Sequence, residues 1–100
     1  MFIINVKYSM FLKKEGDIMF EAKIYVSIKK TVADPQGKTV KHALESMGFK
    51  GLEEVRMGKF IELKLKEKDK AKAEAEVSDM CKKLLVNQII EDYSFDIKEA

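Results

Sequence analysis

The sequence predicts an α+β domain of the ferredoxin-like type, β-α-β-β-α-β, with a four-stranded antiparallel sheet and both helices on one face. Three observations predict it. Apolar residues alternate with period two in three stretches, over 20–28, 60–66 and 89–97. Between them the spacing switches twice to the helical i, i+3, i+4 pattern. And 100 residues, 46% hydrophobic and 36% charged, suit one soluble domain with a single modest core.

The first strand is "FEAKIYVSI". Phe20, Ala22, Ile24, Val26 and Ile28 share one face, and Glu21, Lys23, Tyr25 and Ser27 share the other. A helix follows from "DPQGKTVKHALESMG". Asp34 is a suitable N-cap, Pro35 fits the first helical position, where its missing N–H costs nothing, and Gly48 supplies the stop. Its apolar stripe is Val40, Ala43, Leu44 and Met47. Next, "LEEVRMGKFIELKLK" reads as two strands with a tight turn near Gly58-Lys59; Ile61, Leu63 and Leu65 point one way, Phe60, Glu62 and Lys64 the other. A second amphipathic helix carries Ala73, Val77, Met80, Cys81, Leu84 and Leu85, with Asn87 at its end. The last strand, "IIEDYSFDI", sets Tyr93, Phe95 and Ile97 against Asp92, Ser94 and Asp96.

In this topology strands one and three are central, joined by right-handed crossovers. Tyr25 and Phe60 are then neighbours on the sheet face without helices. That placement predicts a contact surface, here a sheet-mediated homo-oligomer.

Residues 1–18 are expected to be an N-terminal extension to a domain over 19–100. The segment is too short and too interrupted by Asn5 and Lys7 to span a membrane, and it lacks a signal-peptide pattern. Two readings are open: an extra strand through Ile3–Phe11, or translation that starts at Met19. N-terminal sequencing of the protein made from its own gene separates them.

Chemistry is hard to build from this chain. Gly37-Lys38-Thr39 resembles the tail of a phosphate loop, but Val32 stands where that motif needs glycine, and Gly37 falls inside the first helical turn. Glycine there costs about 1 kcal/mol relative to alanine, so either something approaches the backbone closely or the turn is frayed. The one cysteine, Cys81, sits on an apolar stripe and the one histidine, His42, on a helix flank, which suits neither a nucleophile–base pair nor a metal site. A net charge of +2 gives no steering field toward nucleic acid. An RNA-recognition module shares the element order, and "IYVSI" is similar to its strand-one motif. Phe60 offers a second aromatic on strand three, but in "MGKFIELK" the next exposed position is Glu62, which would repel phosphate where that module needs an aromatic. A small-ligand-binding ferredoxin-like module is the other alternative, without a visible Gly-rich effector loop.

"YVSIKKTVADPQGKTVKHALESMGF", "VRMGKFIELKL" and "MCKKLLVNQIIEDYSFDI" together resemble the PurS family, the small subunit of the multi-subunit phosphoribosylformylglycinamidine synthase of purine biosynthesis. The resemblance implies a non-catalytic, cytoplasmic subunit that forms a homodimer or higher homo-oligomer and bridges a PurL-like synthetase and a PurQ-like glutaminase. The complex would act as an ATP-dependent C–N ligase that takes its amide nitrogen from glutamine. ATP and Mg would bind the large partner and ammonia would come from the glutaminase, leaving this chain without catalytic, cofactor or metal residues. Partner contacts are expected at the helix entry (Asp34, Pro35, Gln36, Gly37, Lys38), at the Arg56, Gly58 and Lys59 segment, and at Asn87; Tyr25 and Phe60 mark the oligomer face. Each of the loop residues also reads as a cap or turn residue.

Overall fold

The computed structural model describes residues 16–100; the strand expected over Ile3–Phe11 lies outside them. β1 (Ile18–Ile28) is central, pairing antiparallel with β2 (Gly58–Glu67) on one side and β3 (Glu91–Glu99) on the other. The expected alternation holds along β1: Phe20, Ala22, Ile24 and Val26 are buried. Opposite them, Leu65, Leu63 and Ile61 of β2 and Ile97 and Phe95 of β3 complete one apolar face.

α2 (Lys70–Met80) covers that face. Asp69 caps it by accepting from the Lys72 N–H at 2.8 Å, and Ala73, Val77 and Cys81 are fully buried against the sheet. The helix runs into a π-turn over Cys81–Leu85, where the Val86 N–H reaches back five residues to the Cys81 carbonyl at 3.0 Å. The widened turn keeps Leu85 and Val86 on the core side before the chain turns at Asn87 into β3.

α1 (Pro35–Ser46) begins and ends as the sequence predicts. Asp34 accepts from the Gly37 N–H at 2.9 Å, Pro35 opens the helix, and Gly48 ends it at φ +103°, a conformation that favours glycine. Its placement differs from expectation. α1 does not share the sheet's helix face with α2, and Gly37 is its only buried residue. Ala43 and Met47, half of the predicted stripe, are exposed.

The sheet also has three strands among the described residues, not four. Residues 52–57 form no strand, and Gly58 is no turn: it pairs with Ser27 as the first residue of β2. A side chain there would run into the Val26 carbonyl oxygen, so glycine is needed for close approach of the two strands. The Met57 N–H goes to the Asp34 carboxylate, just before α1, instead of to a neighbouring strand. β2 is therefore an edge strand, and β1 alone is central.

Candidate functional site

The segments 29–34 and 52–57 and the start of α1 form one cross-linked platform at the end of the sheet. Its centre is Asp34, only 2% exposed. One carboxylate oxygen accepts from the Gly37 N–H at 2.9 Å and the other from the Met57 N–H at 2.7 Å. The bond from Met57, then that from Gly37, hold its carboxyl below the usual carboxylate range, and the Arg56 charge adds to the effect. Arg56 closes the platform from the other side. Its Nη2 donates to the carbonyls of Lys29 at 2.8 Å, Val32 at 3.1 Å and Ile28 at 3.2 Å.

Gly37 explains itself in this frame. A Cβ on it would penetrate the Val55 carbonyl oxygen and lie 2.8 Å from Asp34 Oδ2. Of the two readings of this glycine, close backbone approach is the one found. Pro35, Gln36 and Lys38 stand exposed around the same helix entry.

The other expected contact residues form a second group. Lys59 pairs with Glu91 at 3.7 Å, and the same carboxylate accepts from the Asn87 N–H at 2.8 Å. The Asn87 side chain accepts in turn from the Ile89 N–H at 3.1 Å. Thus Gly58, Lys59 and Asn87 meet where β2 begins and β3 follows its turn. Val55, Met57 and Glu91 carry no sequence signal: Val55 and Met57 meet the distant helix entry through backbone groups, and the Glu91 carboxylate joins its own turn to Lys59 of β2. Next to this turn Leu84 and Ile89 are each 83% exposed.

Tyr25 and Phe60 face each other across β1 and β2 on the uncovered face, their ring centroids 5.2 Å apart and the rings tilted by 34°. Both are about half exposed, at 45% and 51%. Cys81 is sealed in the core on the opposite side of the sheet, where burial pushes its thiol up and keeps it protonated. Among the described residues no three His, Cys, Asp or Glu side chains gather as a metal-binding group, and no helix is long and apolar enough to cross a membrane.

This arrangement has known relatives. The family model PurS: Phosphoribosylformylglycinamidine (FGAM) synthase matches residues 21–99. The chain belongs to the PurS family. Within PurS, the phosphoribosylformylglycinamidine synthase subunit of Bacillus subtilis (strain 168) is 44% identical over 82% of this chain and 96% of its own. A crystal form of B. subtilis PurS superposes with a TM-score of 0.73, covering 80% of this chain and 99% of that one. A structure of PurLQS from Thermotoga maritima matches at TM-score 0.72 and 32% identity, over 82% of this chain and 98% of that one. PurS chains are subunits of FGAM synthase, the purine-biosynthesis enzyme, and that is this chain's role.

Proposed function

We propose that the chain is the assembly subunit of its FGAM synthase: it bridges a synthetase and a glutaminase subunit, supports ammonia transfer between them, and makes or breaks no bond itself. The match to the T. maritima PurLQS structure carries this reading. The geometry supports it. The sole thiol is sealed in the core, and Asp34 and Arg56 spend their side chains on hydrogen bonds within the platform. ATP and Mg belong to the large partner in this reading, and the complex works in the cytoplasm. Partner contacts fall on the exposed rim of the platform, at Pro35, Gln36 and Lys38, and on the Asn87 turn. Asp34, Gly37 and Arg56 position that rim from beneath.

Adding the full chain to the synthetase and glutaminase subunits is expected to restore glutamine-dependent formation of the formylglycinamidine product. Equal activity with and without it would refute the bridging role.

The same reading includes a homo-oligomer. Met47 is 72% exposed, Phe49 55% and Phe60 51%, large apolar side chains that a second copy would remove from water. Tyr25 and Phe60 form the contact on the sheet. The double variant Tyr25→Ser/Phe60→Ser is expected to sediment as a smaller species than the wild type at equal concentration; an unchanged sedimentation coefficient would remove the sheet from the interface.

A further inference from the structure

A cavity of about 470 Å³ opens beside the platform, between the loop before α1, the first two turns of α1 and the 53–56 segment. Its charges are divided by segment. The loop and the helix contribute Lys30, Lys38 and Lys41, and the third side contributes Glu53 and Glu54. Asp34 and Arg56 also line it, but both are spent on the hydrogen bonds that tie the platform together. Lys38 and Lys41 stand three residues apart on α1 and so share one side of the helix. Among the described residues Lys30, Lys38 and Glu53 form no ion pair. Lys41 has Glu45, one turn along the same helix at 3.7 Å, and Glu54 reaches Arg56 only at 4.0 Å. Solvated pairs of that kind contribute little, so the lysines and glutamates of the cavity are open to an outside partner.

The surroundings select among anions. A phosphate loop cradles its ligand with backbone N–H groups. Here the Gly37 N–H goes to the Asp34 carboxylate at 2.9 Å and the Lys38 N–H to the Asp34 carbonyl at 3.0 Å. The Asp34 carboxylate already sits where a phosphate would meet the helix N-terminus. Glu53 and Glu54 repel dense negative charge. What fits is a polypeptide segment of mixed sign, with a carboxylate toward the lysines and a cation toward the two glutamates.

We infer that this cavity is a docking groove for a mixed-charge segment of one partner FGAM synthase subunit, whose acidic side chain lies among Lys30, Lys38 and Lys41. This rests on the bridging role proposed above, and adds the side chains that receive the partner and the signs of charge they meet. A chain that joins two different subunits needs a separate surface for each, and the groove serves one of them. Its charges set partner choice and encounter rate more than raw affinity.

The affinity of the full-length chain for the synthetase and for the glutaminase is measured separately, with ATP, Mg and glutamine present, at low and at physiological salt. Lys38→Glu/Lys41→Glu is expected to weaken binding to one partner by about tenfold or more and to leave the other unchanged. Wild-type affinity for that partner should fall as salt rises, and the variant should lose this dependence. Glu53→Lys/Glu54→Lys should weaken the same partner. Lys70→Glu, exposed at the opposite end of the sheet where α2 begins, should change neither. If the reversed variant fails to fold, Lys38→Gln/Lys41→Gln removes the charges without adding repulsion, and a smaller loss toward one partner is expected.

Wild-type affinity for both partners in the folded lysine variants would overturn the groove and leave the bridging role standing. Equal loss toward both would mark general damage and overturn it as a dedicated site. Inorganic phosphate that displaces the partner at constant ionic strength, and raises the thermal midpoint of the wild type but not of Lys38→Glu/Lys41→Glu, would make the cavity a phosphate site instead. A wild-type chain that binds neither subunit would overturn the bridging role and the groove with it.

Discussion

Gly37→Ala is expected to destabilise the protein by about 1–2 kcal/mol, although alanine is the better helix former. Helix propensity favours the change by up to about 1 kcal/mol, while overpacking against a fixed backbone costs about 1–3 kcal/mol. Clash wins because the atom in the way is the Val55 carbonyl oxygen, held in place by the neighbouring Arg56 and Met57 bonds to the loop before α1. The loss should be local first: amide hydrogens of Gly37 and Met57 lose exchange protection, while those of β1 keep it. Gly51→Ala is the control, since a Cβ there meets nothing within 4 Å. If Gly37→Ala matches Gly51→Ala in thermal midpoint and exchange, the platform is not what the glycine serves. Acid should act on the same bonds. Asp34 has its pKa lowered by folding, so its stabilisation is full above the unfolded carboxylate pKa and fades as pH falls through the lowered native value. Gly37 and Met57 protection is therefore expected to fade at acid pH while the sheet core persists.

Phe20→Ala should have the larger effect, about 3–4 kcal/mol. Phe20 is 2% exposed in the middle of the core beneath α2, and the small domain has little room to collapse around the cavity. Against a total stability of about 5–15 kcal/mol, this brings the chain close to unfolding. The urea midpoint at one fixed protein concentration measures it, because oligomerisation adds to apparent stability. Phe60→Ala, in the same sheet but 51% exposed, is expected to change the unfolding of the single subunit little. Equal losses at the two positions would show that the face opposite α2 is as buried as the core.

Those two phenylalanines show what could be read early. Alternation in "FEAKIYVSI" assigned Phe20 inward and Tyr25 outward, and the β1–β2 register then brought Phe60 beside Tyr25. The caps of α1 were equally legible, because Asp34, Pro35 and Gly48 act within one turn of themselves. Residues 52–57 were not. "VRM" has a short apolar alternation, but whether it becomes a strand depends on a neighbour to pair with. Here the Met57 N–H goes to Asp34 and the Arg56 side chain grips the loop before α1. Arg56 and Gly58 looked like hairpin residues for the same reason. One is a clamp across 24 residues to Val32, and the other a strand residue pressed on β1.

The sequence by itself determined the α+β class, three of the four expected strands, both helices and the caps of the first, the core face of the sheet and membership in the PurS family. Period and capping are local, so they survive any arrangement of the elements. Tertiary structure decided that the predicted second strand is a tie, that α1 stands off the sheet, and that Gly37 makes room for Val55. Those outcomes turn on which backbone groups find partners far along the chain, and no local pattern records that competition.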